Sequence, residues 1–361
     1  MKIKGPIKIV GCGLIGTSIA MRLKEENLEV HLSDVNRNNL ELSSSLVGIE
    51  YKNFSASVQA PAEIIIVATP PGAIFESCRL EFEANPKAII IDVSGIKSEL
   101  ILKIEEFPDL SKSFVSVHPM AGRERSGPES ARSDLFDSRA WIISESRNSS
   151  KRAVGFGREL GLLMGSSIFE VNAKVHDSIV ATISHLPQIL SSALAGSLES
   201  EEASYLNLAG QGLRDISRLA DSDPSLWTAL LSGNSQEVTP KLGDVIERLS
   251  DLKRAIENHD ESAIFKFLED GRKGRKLIPG KHGGARRDYT YVPIVIDDRP
   301  GGLARIFNEC AAIEVNIEDL SMEHSPGQPV GLITLALSES DAIKLQKHLT
   351  SRGWLAHAPR K

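Results

Sequence analysis

The amino-acid sequence predicts an α/β protein built in three parts. They are a doubly wound N-terminal domain over residues 1–166, an all-helical middle domain over 167–276 and, after a linker at 277–289, a small α+β domain over 290–361. Three observations carry this reading. Short Ile- and Val-rich runs alternate with helical stretches in the first part. Helical periodicity without strands fills the second. A β-α-β-β-α-β succession closes the chain.

In the first part the strand candidates are IKIV (7–10), LEVHL (28–32), EIIIVAT (63–69), KAIIID (87–92), FVSV (114–117) and AWIIS (140–144). They lack polar alternation, as strands of a parallel sheet covered on both faces do. Gly11-Cys12-Gly13-Leu14-Ile15-Gly16 follows the first strand and opens a helix. In such a loop the first glycine makes a tight turn and the second admits a pyrophosphate. The third lets helix and strand approach, and the helix N-terminus offers free N–H groups to the anion. Asp34 stands at the end of the second strand, where a carboxylate accepts hydrogen bonds from a ribose and repels a 2′-phosphate. This predicts a Rossmann domain that binds NAD, with Thr69 at the end of the third strand candidate and Pro70 after it joining Gly11, Gly13, Leu14, Ile15, Gly16 and Asp34 in the cofactor site. A turn role for Asp34 beside Asn36, and an NADP preference set by Arg37, stay open at this point.

The middle part repeats apolar residues at helical spacing, first at Val175, Ile179, Ile183, Leu186 and Leu190, then at Leu242, Val245, Leu249, Leu252 and Ile256. Asp223 followed by Pro224 reads as an N-cap and first helical position. Stripes this long pack within one chain or between two, and a homodimer is the expected arrangement. GRKGRKLIPGKHGGARRD (271–288), rich in Gly, Lys and Arg, reads as a solvated linker. YVPIVI, GLARIFNECAAI, VNIEDLSMEH and VGLITLAL then mark the terminal unit.

Composition narrows the function. The chain has 361 residues and a formal net charge of -6, which argues against nucleic acid as a partner. Its three cysteines, Cys12, Cys78 and Cys310, fit no metal spacing and point to a reducing compartment. The start shows no signal-peptide pattern, and the apolar runs, such as IIIVA, are too short to span a bilayer. A soluble cytoplasmic protein without a metal is expected.

HPMAGRERSG (118–127) leaves the fifth strand candidate, so His118 should face the nicotinamide end of the cofactor. A neutral imidazole there accepts a proton from a substrate hydroxyl as hydride leaves the same carbon. The competing reading is a structural histidine at a strand end. In SHLPQ, His185 and Gln188 share one helix face with Ser178, Ala181 and Ser192 nearby, which makes either a cleft wall or a surface stripe. Pro187 should kink this helix. Arg214 and Arg218 lie in a helical segment, where an arginine either clamps a carboxylate or is solvated.

Taken together, GCGLIG, HPMAGRERSG, the pair His176-Asp177 followed by SHLP, and GLRDISRLADSDPSLW resemble the prephenate dehydrogenase family in order and spacing. DDRPGGLARIF with VNIEDL resembles an ACT domain, which some members carry, and IPGKHG and GQPVGL are most similar to the actinobacterial branch. The resemblance spans nearly the whole chain. It implies NAD-dependent oxidative decarboxylation of prephenate to 4-hydroxyphenylpyruvate on the route to tyrosine. By this resemblance His118 is the acceptor or base for the ring hydroxyl, Arg218 binds a carboxylate, Glu124 orders the histidine loop, and His185 matches the first histidine of the family's SHLPH-like segment. Two departures stand out. The family's serine before its Val-Lys pair is displaced by one position, to Ser94 in Asp92-Val93-Ser94-Gly95-Ile96-Lys97, and the second histidine of SHLPH is Gln188. Gln188 leaves arogenate, or another aminated prephenate, as an alternative substrate. The ACT resemblance places an amino-acid site at Asp298, Gly302 and Asn316 and implies tyrosine feedback. A non-catalytic NAD and amino-acid sensor is the remote alternative.

Overall fold

The computed structural model describes residues 3–49, 62–122, 127–278, 289–297, 299–324 and 330–361. By its contacts the chain forms two compact units, residues 1–250 and 251–361.

The first unit alternates β1 (Ile7–Val10), α1 (Leu14–Glu25), β2 (Val30–Ser33), α2 (Arg37–Val47), β3 (Ile64–Val67), α3 (Ile74–Ala84), β4 (Ile89–Asp92), α4 (Ser98–Glu105), α5 (Pro108–Ser113), β5 (Phe114–Pro119), β6 (Ala140–Ser144), α6 (Lys151–Leu163) and β7 (Ser167–Glu170). The strands form one sheet in the order β2-β1-β3-β4-β5-β6-β7. Both faces are covered. Ile64 and Ile66 of β3 join one apolar cluster with Ile19 and Leu23 of α1 and Phe156 and Leu160 of α6, while Ile65 and Val67 join another with Ile74, Ile101 and Ile104. A strand buried on both sides has no polar residue to alternate with, which is why these runs are so uniform.

Two features depart from the sequence reading. AWIIS forms β6 as expected, but it runs antiparallel to β5. A parallel neighbour needs a crossover, usually helical. Among the described residues the β5–β6 connection holds only the short 3₁₀ turn Pro128–Ser130. Burial of Trp141, Ile142 and Ile143 on both faces hid this direction from the pattern. The sheet also continues into β7, which pairs parallel with β6 in a region read as strandless. Its sequence SIFE lies mostly exposed at the sheet edge, so it carries no apolar run.

The helical part comprises α7 (Ala173–Val180), a π-helical turn at Ala181–His185, α8 (Leu186–Ser197), α9 (Ala203–Leu206), α10 (Gln211–Ser217), a 3₁₀ turn at Arg218–Asp221, α11 (Pro224–Gly233) and α12 (Ser235–Glu257). Asn172 caps α7 through Val175 N, and Asp223 caps α11 through Ser225 N, with Pro224 in the first turn. Pro187 follows the π turn. Its missing N–H leaves the ladder one donor short, and the chain accommodates this by widening one turn. Among the described residues, the helical run Ala173–Ser197 is long and apolar enough, by length and composition alone, to cross a membrane. Ser, Thr, His and Gln punctuate the run, so the sequence shows no long uninterrupted apolar stretch there. Of the predicted stripes, Val175, Ile179, Ile183 and Leu190 are exposed, as are Leu249 and Ile256.

The second unit holds the end of α12 together with α13 (Glu261–Lys276), β8 (Thr290–Asp297), α14 (Gly302–Ala312), β9 (Asp319–His324), β10 (Val330–Leu337), α15 (Glu339–Ser351) and β11 (Leu355–Ala356). Its four strands are antiparallel in the order β11-β8-β10-β9, the arrangement of a split β-α-β fold. Ile294, Ile333 and Leu335 pack against Ile306, Leu345 and Leu349 from the two helices. The basic stretch that reads as linker from Gly271 is helical as far as Lys276, where Glu269 and Asp270 pair with Arg272 and Lys273. Residues 279–288 of the expected linker lie outside the described residues.

Candidate active site

Strands β1, β3, β4 and β5 are mutually parallel, so their carboxyl ends share one edge of the sheet. That edge carries the glycine loop, Thr69, Ser94 and His118, where ligands bind in such folds. Gly11 adopts φ +101, and a Cβ there would lie 2.5 Å from Ala68 O. A Cβ on Gly16 would lie 1.9 Å from Gly11 O, so helix α1 can approach β1 only with glycine at this position. Among the described residues nothing lies within 4 Å of the same atom added at Gly13. Space is therefore open where a pyrophosphate would sit. No side chain caps α1, and its first turn holds no acidic residue. Leu14, Ile15 and Gly16 make the first turn of α1, whose free N–H groups suit an anion. Asp34 is tied to the loop, its Oδ2 accepting from Cys12 N at 2.6 Å and its Oδ1 from Asn36 N at 2.6 Å. Arg37 is engaged by Glu41 at 2.8 Å. Thr69 and Pro70 follow β3, half-buried and exposed respectively. Burial, and then the charge of Asp34, push the Cys12 thiol up to about 12, so the loop carries no thiolate. These residues fit a dinucleotide.

His118 stands near the end of β5, half-buried. Its Nδ1 lies 2.8 Å from His176 Nε2, and His176 Nδ1 lies 2.8 Å from Asp177 Oδ1. Asp177 also accepts from the N–H groups of Lys97 at 2.9 Å and Ser98 at 2.7 Å. No hydrogen bond from a described residue reaches His118 Nε2. Gly95 lies beside that atom, where an added Cβ would sit 3.7 Å from it. Burial, reinforced by His176, Lys97 and His185, holds His118 well below the ordinary histidine range. At neutral pH it is an uncharged imidazole, able to accept a proton.

Beneath the histidine lies a buried ion pair. Lys97 Nζ donates to Asp92 Oδ2 at 2.9 Å and to Val117 O at 2.7 Å, and both side chains are fully buried. Ser116 Oγ also donates to Asp92. Ser94 belongs to this network, donating to Asp92 Oδ2 at 3.1 Å and to Ile96 O at 2.9 Å. Its hydroxyl is thereby engaged under the site, and it is Gly95 that adjoins His118.

His185, buried on the π turn, receives a hydrogen bond from Asn234 Nδ2 at 3.2 Å and packs edge-on against Trp227 with ring centroids 5.9 Å apart. Asn234 also donates to Asp177 O at 2.9 Å, linking the two histidine groups. Burial is the main cause that lowers His185 to about 4. Gln188 is buried, and its Nε2 donates to Leu219 O at 2.8 Å and to Ser192 Oγ at 3.3 Å. It thus ties α8 to the turn that begins at Arg218. Arg218 is exposed in the single chain, and Arg214, also exposed, reaches back to Ala209 O at 3.4 Å. Glu124 lies outside the described residues.

In the second unit a cavity of about 380 Å³ is lined by Asp297, Arg299, Gly302 and Met322 among others. Gly302 opens α14, and an added Cβ there would lie 3.3 Å from Asp297 O. Asn316 is not among the lining residues and donates to Glu318 at 3.0 Å. Asp298 lies outside the described residues.

Sequence reasoning assigned no role to Lys97, Asp92, His176, Asp177, Asn234 or Trp227. One signal was present. Asp92 ends an otherwise apolar strand candidate, and a charge there needs a partner.

Two family models match the chain. One, described as the prephenate dehydrogenase nucleotide-binding domain, covers residues 19–169, and the other, the prephenate dehydrogenase dimerization domain, covers residues 172–270. The chain is 27% identical to a probable prephenate dehydrogenase, NovF, of Streptomyces niveus over 97% of its own length and 99% of that protein's. It is 28% identical to the prephenate dehydrogenase of Lactococcus lactis, covering 89% of this chain and 92% of the relative. A solved prephenate dehydrogenase from A. aeolicus, in complex with hydroxyphenyl propionate and NAD+, superposes with a TM-score of 0.69 at 23% identity, covering 77% of this chain and 99% of that one. This likeness shows a shared fold.

Proposed function

The chain belongs to the prephenate dehydrogenase family, and on that premise we propose that it oxidatively decarboxylates prephenate to 4-hydroxyphenylpyruvate with NAD, in tyrosine biosynthesis. The observation that carries this reading is the uncharged His118, with Nε2 beside Gly95 and bonded to no described residue, on the strand edge that also bears the glycine loop.

Gly11, Gly13, Leu14, Ile15, Gly16, Asp34, Thr69 and Pro70 hold the cofactor. Asp34 faces the ribose and disfavours a 2′-phosphate, which selects NAD over NADP. NAD, when bound, supplies the acceptor for the hydride leaving the ring carbon that bears the hydroxyl. His118 Nε2 accepts the hydrogen bond of that hydroxyl and draws off its proton as the carbon is oxidised. The bond to the ring carboxylate then breaks, its electron pair enters the ring, and CO2 departs. The oxygen regains a proton as the ring becomes aromatic. The driving force lies in the substrate, so the protein's work is to place two carboxylates and one hydroxyl. Arg218 clamps a carboxylate, with Arg214 nearby. Glu124 orders the histidine loop, Ser94 supports it from the Asp92 network, and His185 and Gln188 form the wall towards the pyruvyl end.

Residues 1–166, 167–276 and 290–361 serve as cofactor, substrate and regulatory domains. The exposed stripes at Val175, Ile179, Ile183 and Leu190 support a homodimer, since a single chain leaves them uncovered. The enzyme is cytoplasmic. The terminal unit acts as an ACT domain that takes tyrosine at Asp298, Gly302 and Asn316 and lowers turnover.

The test follows NADH formation with prephenate and with arogenate in separate runs. Faster turnover of prephenate is expected. Faster turnover of arogenate overturns the substrate assignment and makes Gln188 an amine-reading residue, and no NADH from either overturns the activity. Tyrosine that binds without slowing turnover refutes the regulatory assignment. An unchanged KM in Arg218→Ala refutes the clamp.

A further inference from the structure

We propose that His176 and Asp177 are positioning residues that hold His118 in its Nδ1–H tautomer and so make Nε2 the proton acceptor. The inference rests on the reading above only for what Nε2 accepts.

The direction of each hydrogen bond follows from groups whose role is fixed. Asp177 faces two backbone N–H groups, Lys97 N on Oδ1 at 2.9 Å and Ser98 N on Oδ2 at 2.7 Å. Burial pushes Asp177 up, but its hydrogen bonds, those from Ser98 among them, outweigh this and hold it below the usual carboxylate range, so at neutral pH both oxygens only accept and Asp177 has no proton to give. His176 Nδ1, 2.8 Å from Oδ1, must therefore donate. A neutral His176 then has a bare Nε2, which lies 2.8 Å from His118 Nδ1. Of two imidazole nitrogens at that distance one donates and one accepts, so His118 Nδ1 carries the proton and Nε2 is bare. An imidazolium at His176 would reverse the last bond. Burial, with the Lys97 ammonium adding to it, holds His176 below its usual range even beside the Asp177 carboxylate, so at neutral pH the ring is uncharged.

The relay is rigid at each joint. Asn234 Nδ2 holds the Asp177 carbonyl at 2.9 Å, and Lys97 Nζ holds the Val117 carbonyl, next to His118, at 2.7 Å. His176 and His118 meet edge to face, with ring centroids 5.0 Å apart. His176 and Asp177 lie in the middle of α7, and His118 is on β5. The bond therefore also sets the distance between the nucleotide sheet and the first helix beyond it.

The test uses the full-length enzyme and reads the tautomer directly. In ¹⁵N-histidine-labelled protein without substrate, the His118 signals, identified by their loss in His118→Asn, should show a protonated Nδ1 and a bare Nε2. His176→Gln keeps one acceptor and one donor, so it should retain that tautomer and most of the turnover. His176→Phe removes the acceptor, and Asp177→Asn presents an amide N–H to one of the groups that now donate. Each should shift His118 towards Nε2–H and lower kcat by ~10–100-fold, with NAD affinity unchanged. A wild-type His118 already protonated at Nε2 overturns the proposal. So does a His176→Phe enzyme whose tautomer and kcat match wild type. Should His176→Phe fail to fold, the wild-type spectrum still decides. Because the spectrum needs no substrate, inactivity of the wild type towards prephenate would overturn the substrate assignment and leave the tautomer result standing.

Discussion

Replacing Lys97 by methionine should destabilise the first unit far more than its single ion pair suggests. The ammonium lies fully buried, 2.9 Å from Asp92 Oδ2 and 2.7 Å from Val117 O. Burial alone would favour a neutral amine, and it lowers the lysine from its usual value while Asp92 pulls it back up. Methionine fills similar volume but strands a buried carboxylate. Breaking a buried pair from one side costs ~3–5 kcal/mol, because the remaining charge is uncompensated. The hydroxyls of Ser94 and Ser116 and the Ser94 N–H still reach Asp92, which favours the lower end of that range. The loss of the donor to Val117 O adds ~1–3 kcal/mol. For a unit of about 250 residues each kcal/mol moves the melting temperature by ~2–4 °C, so a fall of ~8–20 °C is expected. The double variant Lys97→Met, Asp92→Asn removes the stranded charge and should recover at least half of the loss. The assay is thermal unfolding followed by circular dichroism, with urea unfolding at 25 °C as the equilibrium check. A single variant within ~1 kcal/mol of wild type refutes the reasoning, as does a double variant no more stable than Lys97→Met.

Four further outcomes can be measured. His118→Asn should lower kcat by ~10²–10⁴-fold while NAD titration stays close to wild type, and near-normal turnover would remove His118 from its role. Because His118 is held well below the ordinary histidine range, kcat should stay level from neutral pH down past 6.5 and fall only at lower pH; an acidic limb centred at 6.5 or higher contradicts this. Gly13→Ala should fold normally, since no described residue lies within 4 Å of the new atom, yet bind NAD at least ~10-fold more weakly, whereas Gly16→Ala should lose stability as well. His185, at about 4 in the fold against 6.5 when free, is neutral in the native state and protonates on unfolding below pH 6.5. Its contribution is whole above pH 6.5 and is lost as pH falls towards 4, by ~3 kcal/mol in all. His185→Gln should flatten the dependence of the urea midpoint on pH between 7 and 4, and an unchanged slope counts against it.

Much of this protein is written locally. GCGLIG is legible because steric exclusion at Gly11 and Gly16 acts between atoms a few residues apart, or across one strand pair. The uniform Ile and Val runs reveal burial on both faces, since a side chain with no access to water cannot be polar without a partner. Asp223-Pro224 marks a helix start, because capping involves only the next two residues. Long-range decisions left no such trace. The direction of β6 depends on how a loop returns, while its buried faces look the same either way. The meeting of His118 with His176 joins positions 58 residues apart in sequence. Nothing local marks Lys97 as buried; only the fold turns it under β5 onto Asp92. Gln188 donates its amide N–H to the carbonyl of Leu219, 31 positions away in sequence. A hydrogen bond has no sequence signature of its own. Either partner is common in many contexts, and only the packing of β5 against α7, and of α8 against the turn after Arg218, brings the donors to their acceptors.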